Sequence, residues 1–146
     1  MNLAPIVLFV YNRPNHTKLL LESLKKNLLS KLSIIYIYCD GPKANSNIYE
    51  LDKIKQVRNI IKKIDFCKEI YIIESQDNKG LANSIIQGVS DLFCKYDKII
   101  VLEDDLILGT NFLEFMNYSL NKYEFDDVIH QVSGFQFPIV TEKKDC

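Results

Sequence analysis

The feature that most constrains this chain is a regular exchange between two hydrophobic periods. Residues 4–11 (APIVLFVY), 33–39 (SIIYIYC), 69–74 (EIYIIE) and 98–103 (KIIVLE) are short, β-branched, aromatic and almost continuously apolar. Such runs are what strands covered on both faces require. Between them the period changes to that of a helix. Leu20, Leu24 and Leu28 recur every four residues behind Pro14, and Ile48, Leu51, Ile54, Val57 and Ile61 form one stripe. Leu81, Ile85, Val89, Leu92 and Tyr96 form another, and a fourth helix is expected from about 111 to 123 with Phe112, Phe115, Met116 and Leu120 inward. Asn47 and Glu50 have capping-box spacing at the start of the second helix. Residues 128–135 read as a fifth strand. Alternation of this kind implies an α/β fold with a mostly parallel sheet and helices on both faces.

Length and composition narrow the class further. The 146 residues are 47% hydrophobic and 25% charged, with a formal net charge of −1. That is one globular domain over 1–146 with a real core, and it excludes intrinsic disorder. A near-neutral charge argues against nucleic acid as a partner. The apolar runs are strand-sized, well short of the ~20 residues of a membrane span. Pro5 and a strand-like run follow the N-terminus at once, without the pattern of a secretory signal. The four cysteines, at 39, 67, 94 and 146, lack the close spacing of a zinc site. Free thiols in a reducing compartment, and so a cytoplasmic protein, are the expectation.

Ligands of open α/β sheets bind beyond the carboxyl ends of the strands. At those ends stand Tyr11-Asn12-Arg13-Pro14, Asp40-Gly41-Pro42, Ser75 to Gly80, and Glu103-Asp104-Asp105. The acidic triplet is the most informative. Three adjacent carboxylates leaving an apolar strand repel one another unless a cation relieves them. Oxygen ligands without Cys or His suit Mg²⁺ or Mn²⁺, usually shared with substrate phosphates. A solvated turn before Leu106 is the other reading. Arg13 is one of only two arginines among eighteen basic residues, and its planar fork suits phosphate or a base edge. It equally suits a surface cap on the sheet. Asp40 before Gly41-Pro42 reads as a turn former or a binding carboxylate, and Lys79-Gly80 offers a helix N-terminus and a cation to an anion. There is no G-x-G-x-x-G after the first strand, no P-loop and no serine-hydrolase elbow.

In order, PIVLFVYNRPNHT (5–17), YIYCDGPK (36–43), NKGLANSIIQGV (78–89), IIVLEDDLILGTNFLEFM (99–116) and VSGFQFP (132–138) cover the chain almost end to end. Taken together they resemble the nucleotide-sugar glycosyltransferases of the Rossmann-like GT-A fold. The likeness is to the N-acetylglucosaminyltransferase I type and its bacterial sugar-transferase relatives. The resemblance implies metal-dependent transfer of a sugar from a nucleotide-diphosphate donor, a UDP-sugar favoured, to a glycan or lipid-linked acceptor. It implies that Tyr11, Asn12 and Arg13 meet the donor, Arg13 at the base or diphosphate. Asp40 would accept from the base imide, and Lys79 and Gly80 would approach the donor. Asp104 would face the ribose, Glu103 the sugar hydroxyls, and Asp105 would bind Mn²⁺ or Mg²⁺. Members of the fold continue beyond the metal strand into an acceptor half, so the chain reads as a truncated, donor-binding portion. No catalytic base is assigned, and the acidic tail residues Glu142 and Asp145 are not nominated. The acceptor class implies a location peripheral to the inner membrane face. A sheet cut at this point leaves an apolar edge, which favours homo-oligomers. The second reading is a non-catalytic nucleotide-binding or protein-interaction domain. A third, a nucleotidyltransferase, wants a glycine- and base-rich first loop that Asn12-Arg13-Pro14 does not supply.

Overall fold

The structure, a computed structural model, describes residues 3–135. Cys146, Glu142, Asp145 and the end of the VSGFQFP segment lie outside the described residues. Four strands alternate with four helices: β1 (Ile6–Val10), α1 (Pro14–Lys25), β2 (Ile34–Cys39), α2 (Ile48–Ile61), β3 (Glu69–Glu74), α3 (Leu81–Phe93), β4 (Ile100–Glu103) and α4 (Phe112–Lys122). A 3-10 turn over Leu28–Leu32 joins α1 to β2. The sheet order is β3-β2-β1-β4 and every pairing is parallel. The α/β class expected from the alternating periods is the one observed.

Side-chain parity explains the layers. Ile6, Leu8 and Val10 of β1 point to one face, where Leu20 and Leu24 of α1, Val57 and Ile61 of α2, and Leu113 and Met116 of α4 join one core. Val7 and Phe9 point to the other, where they meet Tyr36, Ile85, Val89 and Leu92 beneath α3. All five β1 residues are buried, which is why that strand has no polar position. The helix ends follow local chemistry. Pro14 stands at the first turn of α1, where its missing N–H is not needed. Asn47 and Glu50 form the reciprocal capping box of α2.

Three expectations are corrected. Residues 128–135 form no strand among the described residues; 130–135 instead run past α4 and the open side of β4. The run VIHQVSGF has neither the strict alternation nor the continuous apolar character of a strand, and it does not pair with the free outer edge of β4. Second, coverage on both faces holds for β1 and β2 but not for the flanks. One helix, α3, covers the second face, leaving Tyr71 and Ile73 of β3 and Val101 of β4 exposed. Third, the apolar stripes overshoot the core: Leu28, Ile48, Leu51, Leu81 and Phe115 are all exposed. On α4, Met116 is buried and Phe112 and Leu120 pack against the core as expected, while Leu113, Asn117 and Ser119 are further buried positions.

Two buried amides fasten α4 to the rest. Asn117 accepts the Ala4 N–H at 2.8 Å and donates to the Leu113 carbonyl. Asn27 donates to the carbonyls of Ser23 and Gly109 and accepts the Leu113 N–H. The loop that follows the acidic triplet is thereby sewn to the end of α1. These are polar groups satisfied by backbone, as burial demands.

Candidate functional site

The strand order reverses at β1, and the crevice beyond β1 and β4 is the place an open α/β sheet offers a ligand. A cavity of about 260 Å³ opens there. Tyr11, Asn12, Arg13, Asp40, Gly80, Glu103 and Asp104 all line it. Four loops distant in sequence, after β1, β2, β3 and β4, are thus brought to one site. Lys79 and Asp105 do not line the cavity. The Lys79 ammonium turns along α3 to the Gln87 side-chain oxygen at 2.7 Å, and Asp105 lies just outside, facing Arg13.

The loops are braced against one another before any ligand arrives. Oδ1 of Asp40 accepts the N–H groups of Gly41 and Lys79, and its Oδ2 accepts that of Gly80. The helix N-terminus expected to meet an outside anion is therefore partly filled by the protein's own carboxylate, while Gly80 still lines the cavity. Gly80, the N-cap of α3, has φ +78, where a side chain would be strained. Asn78 completes the brace, donating to the Gly41 carbonyl from its side chain and to the Pro42 carbonyl from its backbone. A Cβ on Gly41 would stand 2.6 Å from the backbone of Gln76 and Asp77, so only glycine permits the approach.

One wall is aromatic. The Phe9 and Tyr38 rings lie 5.5 Å apart at 30°, and Gly88 of α3 sits directly on them. The Tyr38 hydroxyl donates to Asp91 at 3.2 Å. Burial and that carboxylate push its pKa up to about 12, so it stays protonated. The Tyr11 hydroxyl is buried with no partner among the described residues.

The opposite wall is charged. Nη1 of Arg13 lies 3.6 Å from Oδ1 of Asp104 and 3.6 Å from Oδ2 of Asp105. The backbone beneath it is fixed, because the Arg13 carbonyl accepts both the N–H and the hydroxyl of Thr17. Burial raises the Asp104 pKa above the ordinary carboxylate value. Arg13 opposes this, Asp105 adds to it, and His16 and the Tyr11 backbone oppose it. Lys43, from the loop after β2, brings a second cation to the cavity.

No group of three or more His, Cys, Asp or Glu among the described residues forms a ready metal cage. Two carboxylate oxygens nevertheless converge on one cationic nitrogen. Magnesium-type ions commonly take one or two carboxylates and complete their shell with water and phosphate. Asp104 and Asp105 fit such an open site.

Sequence reasoning did not nominate Phe9, Tyr38, Lys43, Asn78, Leu81 or Ser84, which also line the cavity. Signals existed for some. Phe9 and Tyr38 share the parity of the α3 face near their strand ends, and Lys43 and Asn78 stand beside nominated residues.

Among solved structures, the chain is similar to the crystal structure of S. aureus TarS, a glycosyltransferase, with a TM-score of 0.51 and 15% identity. The likeness covers 82% of this chain and 20% of that one, so the chain spans about a fifth of its neighbour. It establishes a glycosyltransferase-like fold and does not single out the N-acetylglucosaminyltransferase I type. No protein-family model matches the sequence, and no curated protein matches it. No described helix is long and apolar enough to cross a membrane.

Proposed function

We propose that this chain, whose fold is glycosyltransferase-like, is the donor-binding portion of a metal-dependent glycosyltransferase that takes a nucleotide-diphosphate sugar, uridine favoured. The acceptor in this reading is a glycan or a lipid-linked glycan. The observation that carries the proposal is one cavity at the strand ends lined by the cations Arg13 and Lys43, the carboxylate of Asp104 that Arg13 contacts, and the rings of Phe9 and Tyr38. Cations, carboxylates and rings are the three chemistries that a diphosphate, its sugars and a base require.

In this reading the Arg13 fork and the Lys43 ammonium take the diphosphate oxygens. The base lies against Phe9 and Tyr38, and Tyr11 and Asn12 border it. Asp40 retains lone-pair capacity on Oδ2, which accepts one N–H in the free protein, and in this reading it also accepts the base imide. Asp104 faces the ribose and Glu103 the hydroxyls of the transferred sugar. Lys79 and Gly80 act through the loop that Asp40 holds. Asp105, with Asp104 beside it, would hold Mn²⁺ or Mg²⁺. That ion, when bound, supplies Lewis-acid stabilisation to the charge on the departing nucleoside diphosphate. We place the protein in the cytoplasm, peripheral to the inner membrane face, as a homo-oligomer joined through its open sheet face.

A non-catalytic nucleotide-binding or interaction domain is the second reading. It is favoured by Arg13, which already offsets part of the charge of the paired carboxylates without an ion. Sugar transfer or donor hydrolysis by this chain would exclude it.

The test is a thermal-shift series with Mn²⁺ and the diphosphates of uridine, guanosine, cytidine and thymidine. A ligand at ten times its Kd adds ~1.4 kcal/mol, a rise of a few degrees in a domain this size. The expected result is a rise that needs both the ion and one nucleotide, and that is lost in Asp105→Asn while the free variant melts like the native chain. No rise with any pair from a folded sample overturns the proposal.

A further inference from the structure

We infer that Arg13 contests the divalent-ion position, so that the nucleotide must draw its guanidinium away before the ion binds well; the inference rests on the donor site proposed above. Oδ1 of Asp104 and Oδ2 of Asp105 converge on one nitrogen, each at 3.6 Å. A divalent ion would sit within about 2.6 Å of the same oxygens at most. A guanidinium held against the same two oxygens is a like charge close to that position, which disfavours joint occupancy.

The three side chains are not equally fixed. The Asp104 side chain is 12% exposed and held in the cavity wall, whereas those of Arg13 and Asp105 are 55% and 52% exposed. Asp104 is therefore the fixed member and Arg13 and Asp105 are free to move; Arg13, which lines the cavity, is the one a ligand there can draw away. At 3.6 Å its contacts are longer than the 2.7–2.9 Å of a charge-assisted hydrogen bond, so releasing them breaks no tight pair. A diphosphate in the adjoining cavity offers the same fork a bidentate partner of higher charge. The Arg13 backbone need not move, since Thr17 holds its carbonyl in either case. Arg13 is thus a positioning residue that couples two ligands. Nucleotide raises affinity for the ion by removing a competitor, and linkage requires the ion to raise affinity for nucleotide equally.

The experiment is calorimetric titration of Mn²⁺ into the folded chain, with and without uridine diphosphate, for the native protein, Arg13→Gln and Arg13→Lys. The native chain is expected to bind Mn²⁺ roughly tenfold more tightly when the nucleotide is present, a usual size for such coupling. Arg13→Gln is expected to bind Mn²⁺ alone roughly tenfold more tightly than the native chain does, and to lose most of the coupling. Arg13→Lys keeps the charge without the fork and is expected to fall between them, which decides the matter should the glutamine variant not fold. Equal Mn²⁺ affinity in all three, with uridine diphosphate still binding the native chain, overturns the role of Arg13 and leaves the donor site standing. Absence of both Mn²⁺ and nucleotide binding from every folded protein overturns the donor site, and the inference with it.

Discussion

Asp40 uses its charge on its own backbone, accepting the N–H groups of Gly41, Lys79 and Gly80. An amide in its place keeps one acceptor and turns an N–H toward another N–H. Hydrogen bonds to a charged group are worth ~1.5–3 kcal/mol. Asp40→Asn is therefore expected to destabilise the ligand-free protein by about 2 kcal/mol, measured by urea unfolding; an unchanged midpoint would show that the carboxylate does not hold the loop. Asp104 works in the opposite sense. Its pKa is raised in the folded state, chiefly by burial, so the native protein binds more protons than the unfolded chain through the shifted range. Stability then falls as pH rises from the ordinary carboxylate value, about 4, through the raised native one. Asp104→Asn removes that loss. It should gain stability relative to the native chain as pH rises from about 4 through the raised native value, with the gap flat above it. Urea midpoints measured across that range check this, and a gap that narrows with rising pH contradicts it.

Helix α3 is the element on which the cavity depends, because among the described residues it alone covers the second face of the sheet, and it brings Leu81 and Ser84 to the site. Gly88 lets it sit close. A Cβ there would meet the Phe9 ring at 2.7 Å and the Tyr38 ring at 3.1 Å. Two effects oppose each other in Gly88→Ala. Helix propensity favours alanine by ~1 kcal/mol, while overpacking against a rigid, buried ring costs ~1–3 kcal/mol. Phe9 is 3% exposed and its ring is packed against Tyr38, so the collision wins. A net loss of about 1 kcal/mol is expected in thermal unfolding, together with weakened nucleotide binding as α3 lifts from the aromatic wall. A more stable variant would mean that the ring gives way. The same element shows the limit of periodicity as a guide. Its stripe of Leu81, Ile85, Val89 and Leu92 is genuine, but only Leu92 is fully buried: Leu81 is exposed, and Ile85 and Val89 edge the open groove beside β4.

For the whole molecule, the unequal layers matter most. Three helices cover one face of the sheet and one covers the other. Phe93, Val101, Leu106 and Ile107 consequently edge an open groove beside β4, whose outer edge is unpaired among the described residues. Contiguous apolar surface of this kind associates. Concentration-dependent self-association is expected in light scattering, and Val101→Lys should reduce it without lowering the melting midpoint by more than a degree or two. A monomer at every concentration would contradict this. That groove was not legible in the sequence, where KIIVLE reads as a strand covered on both sides. A hydrophobic run records what a strand can bury, and the number of helices available to bury it is a property of the assembled layers.

The sequence by itself determined the elements and their class. Periods of two and 3.6 are set by backbone geometry within a few residues, and the Asn47–Glu50 box and Pro14 act over one turn. It also placed the polar residues at the strand ends, since an apolar strand can shed its charges only where it leaves the sheet. Only the tertiary structure decided which of those residues share a cavity, that Asp40 is bonded to the loop before α3, and that Arg13 lies between Asp104 and Asp105. It also denied residues 128–135 a strand. Each of these depends on contacts between segments far apart in the chain, and the strand order that brings them together is fixed by packing rather than by any local run of residues.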